Sequence, residues 1–335
     1  MYLIRLLPSA LLLASCTLSG QQDAEARRRA REEYVRQHPP RESTGLVRLT
    51  DLGKRAYQGQ QGGLYPGGEN APPPAHAKLG LQLARQIVPR DADGRPSPDG
   101  KIVLLSTWMS NATQEFQAFQ KLAQRDAALN PRLVIVDGAQ GGQTATITAR
   151  PEANYWKVVA DRLAAAGVTA SQVQATWIKQ ANARPTAPFP EEANKLQQDL
   201  VHTLHNLHDK FPNLKLAYLS SRIYGGYAAS PLNPEPHAYE TAFAVKWLVA
   251  DQIVGKPELN CDPAKGAVRS PWIAWGPYLW ADGLKGRSDG LVYVREDLAE
   301  DGTHPSISGR EKVAKLLLDF LKRDPTARLW FVKNR

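Results

Sequence analysis

Cysteine is nearly absent from this chain: Cys16 and Cys261 are the two among 335 residues. At most one disulfide is possible, so no disulfide framework holds the fold, and stability must come from a buried core that a chain of this length can supply. An apolar run fit to cross a bilayer is missing at the N-terminus, where residues 6–13 are too short for a hydrocarbon layer about 30 Å thick. Strong charge of one sign is missing too: 42 Lys and Arg face 33 Asp and Glu, a net charge of +9 spread along the chain. Even the densest basic cluster, Arg27-Arg28-Arg29 with Arg31, runs into Glu32 and Glu33. It reads as a solvated tether, and binding to nucleic acid is not expected. A moderate basic excess still attracts anionic polysaccharide or lipid headgroups.

Residues 1–16 have the layout of a secretory signal, with Arg5, then the apolar run, then Ala14-Ser15-Cys16. Leu13-Ala14-Ser15-Cys16 resembles a bacterial lipobox. That resemblance implies cleavage after residue 15, lipidation of Cys16, and a place in the bacterial cell envelope on an N-terminal lipid anchor. The competing reading is an ordinary cleaved signal with an incidental cysteine. Cleavage would remove Arg5 and no acidic residue, taking the net charge from +9 to +8. Cys261 would then stand alone, a small buried residue with no disulfide partner. Residues 17–43 are polar and charged, which predicts a linker. The expected organisation is a signal at 1–15, an anchor and charged linker at 16–45, and one domain at 46–330.

Within that domain, residues 53–76 are rich in Gly, Gln and Pro and predict an irregular loop, either beside the active site or draped over the body. Beyond it the pattern alternates. Short apolar runs at 101–105, 133–136, 173–178 and 214–219 predict buried strands. Helical apolar spacing falls at 113–128, 155–166, 191–210, 239–254 and 307–322, the second of these stopped by Gly167. Strands apolar on both faces, alternating with helices, predict an α/β fold: a three-layer α/β/α sandwich with a mostly parallel central sheet. Its site belongs at the carboxyl ends of the strands.

Asp301-Gly302-Thr303-His304 is the stretch with the most chemistry in it. A hydroxyl nucleophile needs an imidazole to take its proton, and the imidazole needs a carboxylate to fix its tautomer and stabilise its cation. The serine must lie elsewhere. Ser110 follows the first strand at a strand-to-helix turn, where its hydroxyl is exposed and its N–H can face an oxyanion; a helix N-cap is the alternative role. The second strand ends in Asp137-Gly138-Ala139-Gln140-Gly141-Gly142, whose paired glycines permit close backbone approach to a substrate, or simply make a turn. The third leaves through Gln180-Ala181-Asn182, where Asn182 can donate to an oxyanion or cap the loop.

Strand-Ser-helix, strand-Gly-loop, strand-Asn-loop and a terminal Asp-x-x-His, in that order over roughly residues 100–325, resemble the SGNH (GDSL-type) hydrolase superfamily. The resemblance implies a flavodoxin-like sheet and a serine esterase that needs neither metal nor organic cofactor. Ser110 is then the nucleophile, His304 the base and Asp301 its orienting acid. Ser110, Gly142 and Asn182 form the oxyanion hole, with Gly141 and Gln180 as substitutes for the latter two. The chain departs from the pattern in two blocks. Trp108-Met109-Ser110-Asn111 replaces Gly-Asp-Ser, a Ser-Asn variant similar to some carbohydrate acetylesterases, and Gln180-Ala181-Asn182-Ala183 replaces Gly-x-Asn-Asp.

The implied substrate is an ester, acetyl above all, on a small molecule, polysaccharide or envelope glycan. An O-acyltransferase with the same triad and a glycan-binding protein that has lost activity are the other readings. Residues 271–280, with Trp272, Trp275, Tyr278 and Trp280, stand outside the alternation and predict an aromatic-rich insertion at about 256–290, which either stacks on sugar or forms its own small core. Three histidines at 202, 205 and 208 diverge round a helix and predict no metal site. The loop Tyr224-Gly225-Gly226-Tyr227 falls at the active-site edge by topology.

Overall fold

Segments of four to seven residues, apolar for the most part, become the strands β1 (Ile102–Trp108), β2 (Leu133–Asp137), β3 (Val173–Lys179), β4 (Leu216–Ser220) and β5 (Trp272–Trp275). All pair in parallel, in the order β2-β1-β3-β4-β5. The computed structural model describes the backbone of residues 10–333 and the side chains of residues 24–333 other than 108. Helices α1 (Ala10–Gln37), α2 (Pro74–Ala84), α3 (Ser110–Ala123), α4 (Asn154–Ala165), α5 (Glu191–Lys210), α6 (His237–Ile253) and α7 (Ile307–Arg323) follow in chain order. α3 packs against α7, and α5 against α6, so helices cover both faces of the sheet. This is the three-layer α/β sandwich that the alternation predicts.

Burial explains the strand composition. Every residue of β3, β4 and β5 is buried, polar Gln174, Thr176 and Lys179 included. Trp177 on β3 has no solvent exposure and stacks on Phe116 of α3, their ring centroids 5.8 Å apart, which seats that helix on the sheet.

Three expectations need correction. Residues 271–280 are no insertion, because Trp272–Trp275 is the fifth strand of the main sheet. Trp272, Trp275 and Trp280 are buried, with their indole N–H groups donated to His76 O, Leu64 O and Glu235 Oε1, so none presents a face for sugar stacking. The linker expected at 17–43 is largely the helix α1. It lacks an apolar stripe but is rich in Ala, Arg and Glu, good helix formers that also pair along its surface, as Arg29 does with Glu25 and Arg28 with Glu32.

The body also begins before residue 46. Ser43 Oγ, Thr44 N and Oγ1, and Gly45 N all donate to the carboxylate of Asp282 at 2.6–3.0 Å. The 53–76 segment drapes along the β5 edge, where Trp275 and Lys246 bond its backbone, and does not border the Ser110 site. The expected cleavage site and lipidation at Cys16 lie outside the side chains described.

Candidate active site

β1 and β3 are neighbours whose chains leave in opposite directions: β1 leads through α3 to β2 on one side, β3 through α5 to β4 on the other. In a parallel sheet this reversal opens a crevice at the carboxyl ends. β1 enters α3 without a loop. Met109 is extended, with φ −93° and ψ −179°, and Ser110 is the first helical residue. The helix therefore starts three residues earlier than its apolar spacing suggests, and the first N–H groups of α3 have no carbonyl within the helix to bond.

The loop before α7 supplies the other half. Its Gly302 adopts φ +64°, and a Cβ there would stand 1.7 Å from Tyr227 O, so the turn needs glycine for both conformation and space. Ala229 N–H donates to Asp301 O at 2.9 Å, pinning this turn to the loop after β4. So placed, His304 Nε2 lies 2.7 Å from Ser110 Oγ, and His304 Nδ1 lies 2.5 Å from Asp301 Oδ2. Asp301 Oδ1 accepts the backbone N–H groups of Thr303 and His304, each at 3.0 Å. Partial burial alone would push the Asp301 carboxyl upward. The hydrogen bonds from His304 and Thr303 outweigh it and hold the group well below the usual carboxylate range. An ionised Asp301 accepts the Nδ1 proton, which leaves Nε2 as the acceptor facing the serine hydroxyl.

Asn111 fixes the two halves to each other, its Nδ2 donating to Thr303 O at 2.8 Å. Below it, Glu115 and Lys179 form a fully buried ion pair, Lys179 Nζ reaching both carboxylate oxygens, one of them at 2.6 Å. Burial lowers the Lys179 ammonium to about 8.

Ser110 and His304 open onto a cavity of about 420 Å³, lined also by Met109, Asn111, residues 142–144, Ala181, Ala183, Arg184, Arg222, Leu232, Asn233 and Thr303. Gly142, at φ +75°, is on this wall; Gly141 is not. The Asn182 carboxamide turns away: its Nδ2 donates to Asp199 Oδ2 at 2.8 Å, and its Oδ1 accepts from Thr146 N and Oγ1. Gln180 is committed likewise, to Gln143 O and to Ala181 N–H. Both amides sit at the right strand end, yet neighbouring loops claim them. Tyr227 is buried against the His304 turn, Tyr224 is buried against Tyr227, and neither lines the cavity.

Arg222 and Asn233 were not foreseen. Arg222 follows β4 by two residues, so the rule that strand ends carry the site points to it when applied to the fourth strand. Asn233 lies in an irregular loop, and no local pattern marks it.

No protein-family model matches the chain, and no curated protein matches it. Among solved structures, an acetyl esterase mutant with acetate ion superposes with a TM-score of 0.36 at 13% identity, over 65% of this chain and 94% of that one. The periplasmic domain of a lipopolysaccharide acetyltransferase from Salmonella ser. Paratyphi A superposes with a TM-score of 0.36 at 12% identity, over 73% of this chain and 95% of that one.

Proposed function

We propose that this protein is a serine esterase that hydrolyses acyl esters, acetyl esters foremost, on carbohydrate or cell-envelope glycan. The observation that carries the reading is the unbroken relay from Asp301 through His304 to Ser110, ending at a cavity. In the reaction, Ser110 Oγ attacks the ester carbonyl carbon as its proton passes to His304 Nε2. The tetrahedral intermediate expels the alcohol, which takes that proton from His304. Water then attacks the acyl-serine, gives a proton to Nε2, and the carboxylic acid leaves as Ser110 regains its hydrogen. Asp301 stays ionised throughout and stabilises the imidazolium. The oxyanion is assigned to backbone N–H groups of Ser110 and Gly142, a type of donor worth about 3 kcal/mol each in related chemistry.

A cavity of about 420 Å³ suits a short acyl group better than a long chain, and its polar wall of Gln143, Thr144 and Asn233 suits a hydroxylated alcohol portion. Membrane attachment through a lipidated Cys16, and with it a location in the cell envelope, belong to the same proposal. Transfer of the acyl group to a sugar hydroxyl uses the same relay with a different acceptor. The test is release of 4-nitrophenol from 4-nitrophenyl acetate by the full chain and by its Ser110→Ala variant. Turnover in the parent alone supports the reading. A folded parent that is no faster than the variant contradicts it.

A further inference from the structure

Arg222 is a buried cation with no counter-ion in contact among the described residues. The residue is 2% exposed and lines the cavity into which Ser110 and His304 open. Three carboxylates bear on it electrostatically, Glu115, Glu235 and Asp301, and each is spent elsewhere. Glu115 is bridged by Lys179 through both oxygens. Glu235 accepts from Gly225 N, Trp280 Nε1 and Tyr239 N. Asp301 accepts from Thr303 N and from His304 N and Nδ1.

Among the described residues, what remains for the guanidinium is weak: Met109 Sδ at 3.9 Å, Thr303 O at 3.4 Å, and nothing for Nε. A guanidinium offers five donors in a planar fork, and burying one with most of them idle is costly. Arg184 adds a second positive charge to the exposed rim, and among the described residues no carboxylate lines this cavity. Asn233, also on its wall, has a buried Oδ1 that no donor of the described residues reaches, a fit for a substrate hydroxyl.

We propose that Arg222 is a specificity residue whose guanidinium takes a carboxylate carried by the substrate next to the ester that Ser110 attacks, which makes the substrate an O-acylated acidic sugar. The inference rests on the esterase reading for the reaction, but the anion site stands on its own geometry. A carboxylate would meet the Arg222 fork with charge-assisted hydrogen bonds, while a hydroxyl of the same sugar would satisfy Asn233 Oδ1. Substrates lacking the anion would leave the guanidinium unpaired, and that penalty is the discrimination.

The test compares the full chain on the O-acetylated methyl glycoside of galacturonic acid and on the same compound with its carboxylate converted to a carboxamide. The parent should favour the carboxylate in kcat/KM by at least about tenfold, the scale of a charge-assisted bond to a buried group. In Arg222→Gln this ratio should fall to within about twofold of one, whatever the absolute rate, while Arg222→Lys, which keeps the charge and loses the fork, retains part of it. A parent ratio near one, or an Arg222→Gln ratio equal to the parent's, overturns the proposal. Titration of galacturonate into Ser110→Ala separates the two claims. Binding that disappears when Arg222→Gln is added upholds the anion site even if no ester is cleaved, in which case only the esterase reading fails. No binding, or binding indifferent to Arg222, overturns the anion site.

Discussion

His304 Nε2 meets Ser110 Oγ at 2.7 Å across 194 residues of sequence, and the same ring meets Asp301 through its other nitrogen. Members of such a relay act as one unit, so their removal is not additive. Ser110→Ala and His304→Ala should each lower kcat on 4-nitrophenyl acetate by about 10³-fold or more, and the double variant should be no slower than either. Asp301→Asn should cost about 10²–10⁴-fold by favouring the wrong tautomer. Steady-state kinetics on the parent and the four variants checks all of this.

Asn182 gives a sharper discrimination. With its carboxamide held by Asp199 and Thr146, Asn182→Ala should change kcat by no more than about threefold, whereas losing a working oxyanion donor costs about 10²–10³-fold. Gly142→Ala forces a side chain into φ +75° on the cavity wall and should be the more damaging change. The same ester assay, run at saturating substrate, ranks the two.

Gly302 has no room for a methyl group. Gly302→Ala would drive a Cβ against Tyr227 O at a backbone angle that L residues avoid, and should cost about 2–4 kcal/mol by denaturant titration. Because this turn carries Asp301 and His304, activity should fall more than stability alone accounts for.

Acid should weaken the fold in two stages with the same sign. Burial lowers the His237 imidazole to about 4, so between its ordinary value near 6.5 and about 4 the unfolded chain binds a proton that the native protein does not, and stability falls with pH. His237 Nε2 donates to Asn182 O; that bond and Glu192 oppose the shift, and Arg222 adds to it. Asp301, held low in the native state, contributes stability above the ordinary carboxylate value that is lost as pH falls through its folded value. His237→Gln should flatten the upper stage and Asp301→Asn the lower, both measured as the unfolding midpoint against pH.

Much of this was legible before any coordinates. β1 to β4 declare themselves because their runs are mainly apolar and do not alternate, and the structure brings Ser110, His304 and Asp301 within hydrogen-bond reach of one another. β5 was hidden by its own composition: Trp272-Ile273-Ala274-Trp275, hemmed by Pro271 and Gly276-Pro277, reads as an aromatic patch until its neighbour β4 is in place. α1 was hidden because local propensity and ion pairs, without an apolar stripe, sustain it. Asn182 has the expected position but not the expected orientation, since a side chain's direction depends on which loops compete for it. Arg222 looks like any surface arginine in the sequence, and only the fold buries it.

The most direct measurement of the central claim is covalent labelling of the full chain by a fluorophosphonate, with the modified peptide identified by mass spectrometry. The account predicts a single adduct on Ser110 that is lost in His304→Ala. A folded protein that stays unlabelled, or that is labelled on another serine, would contradict it.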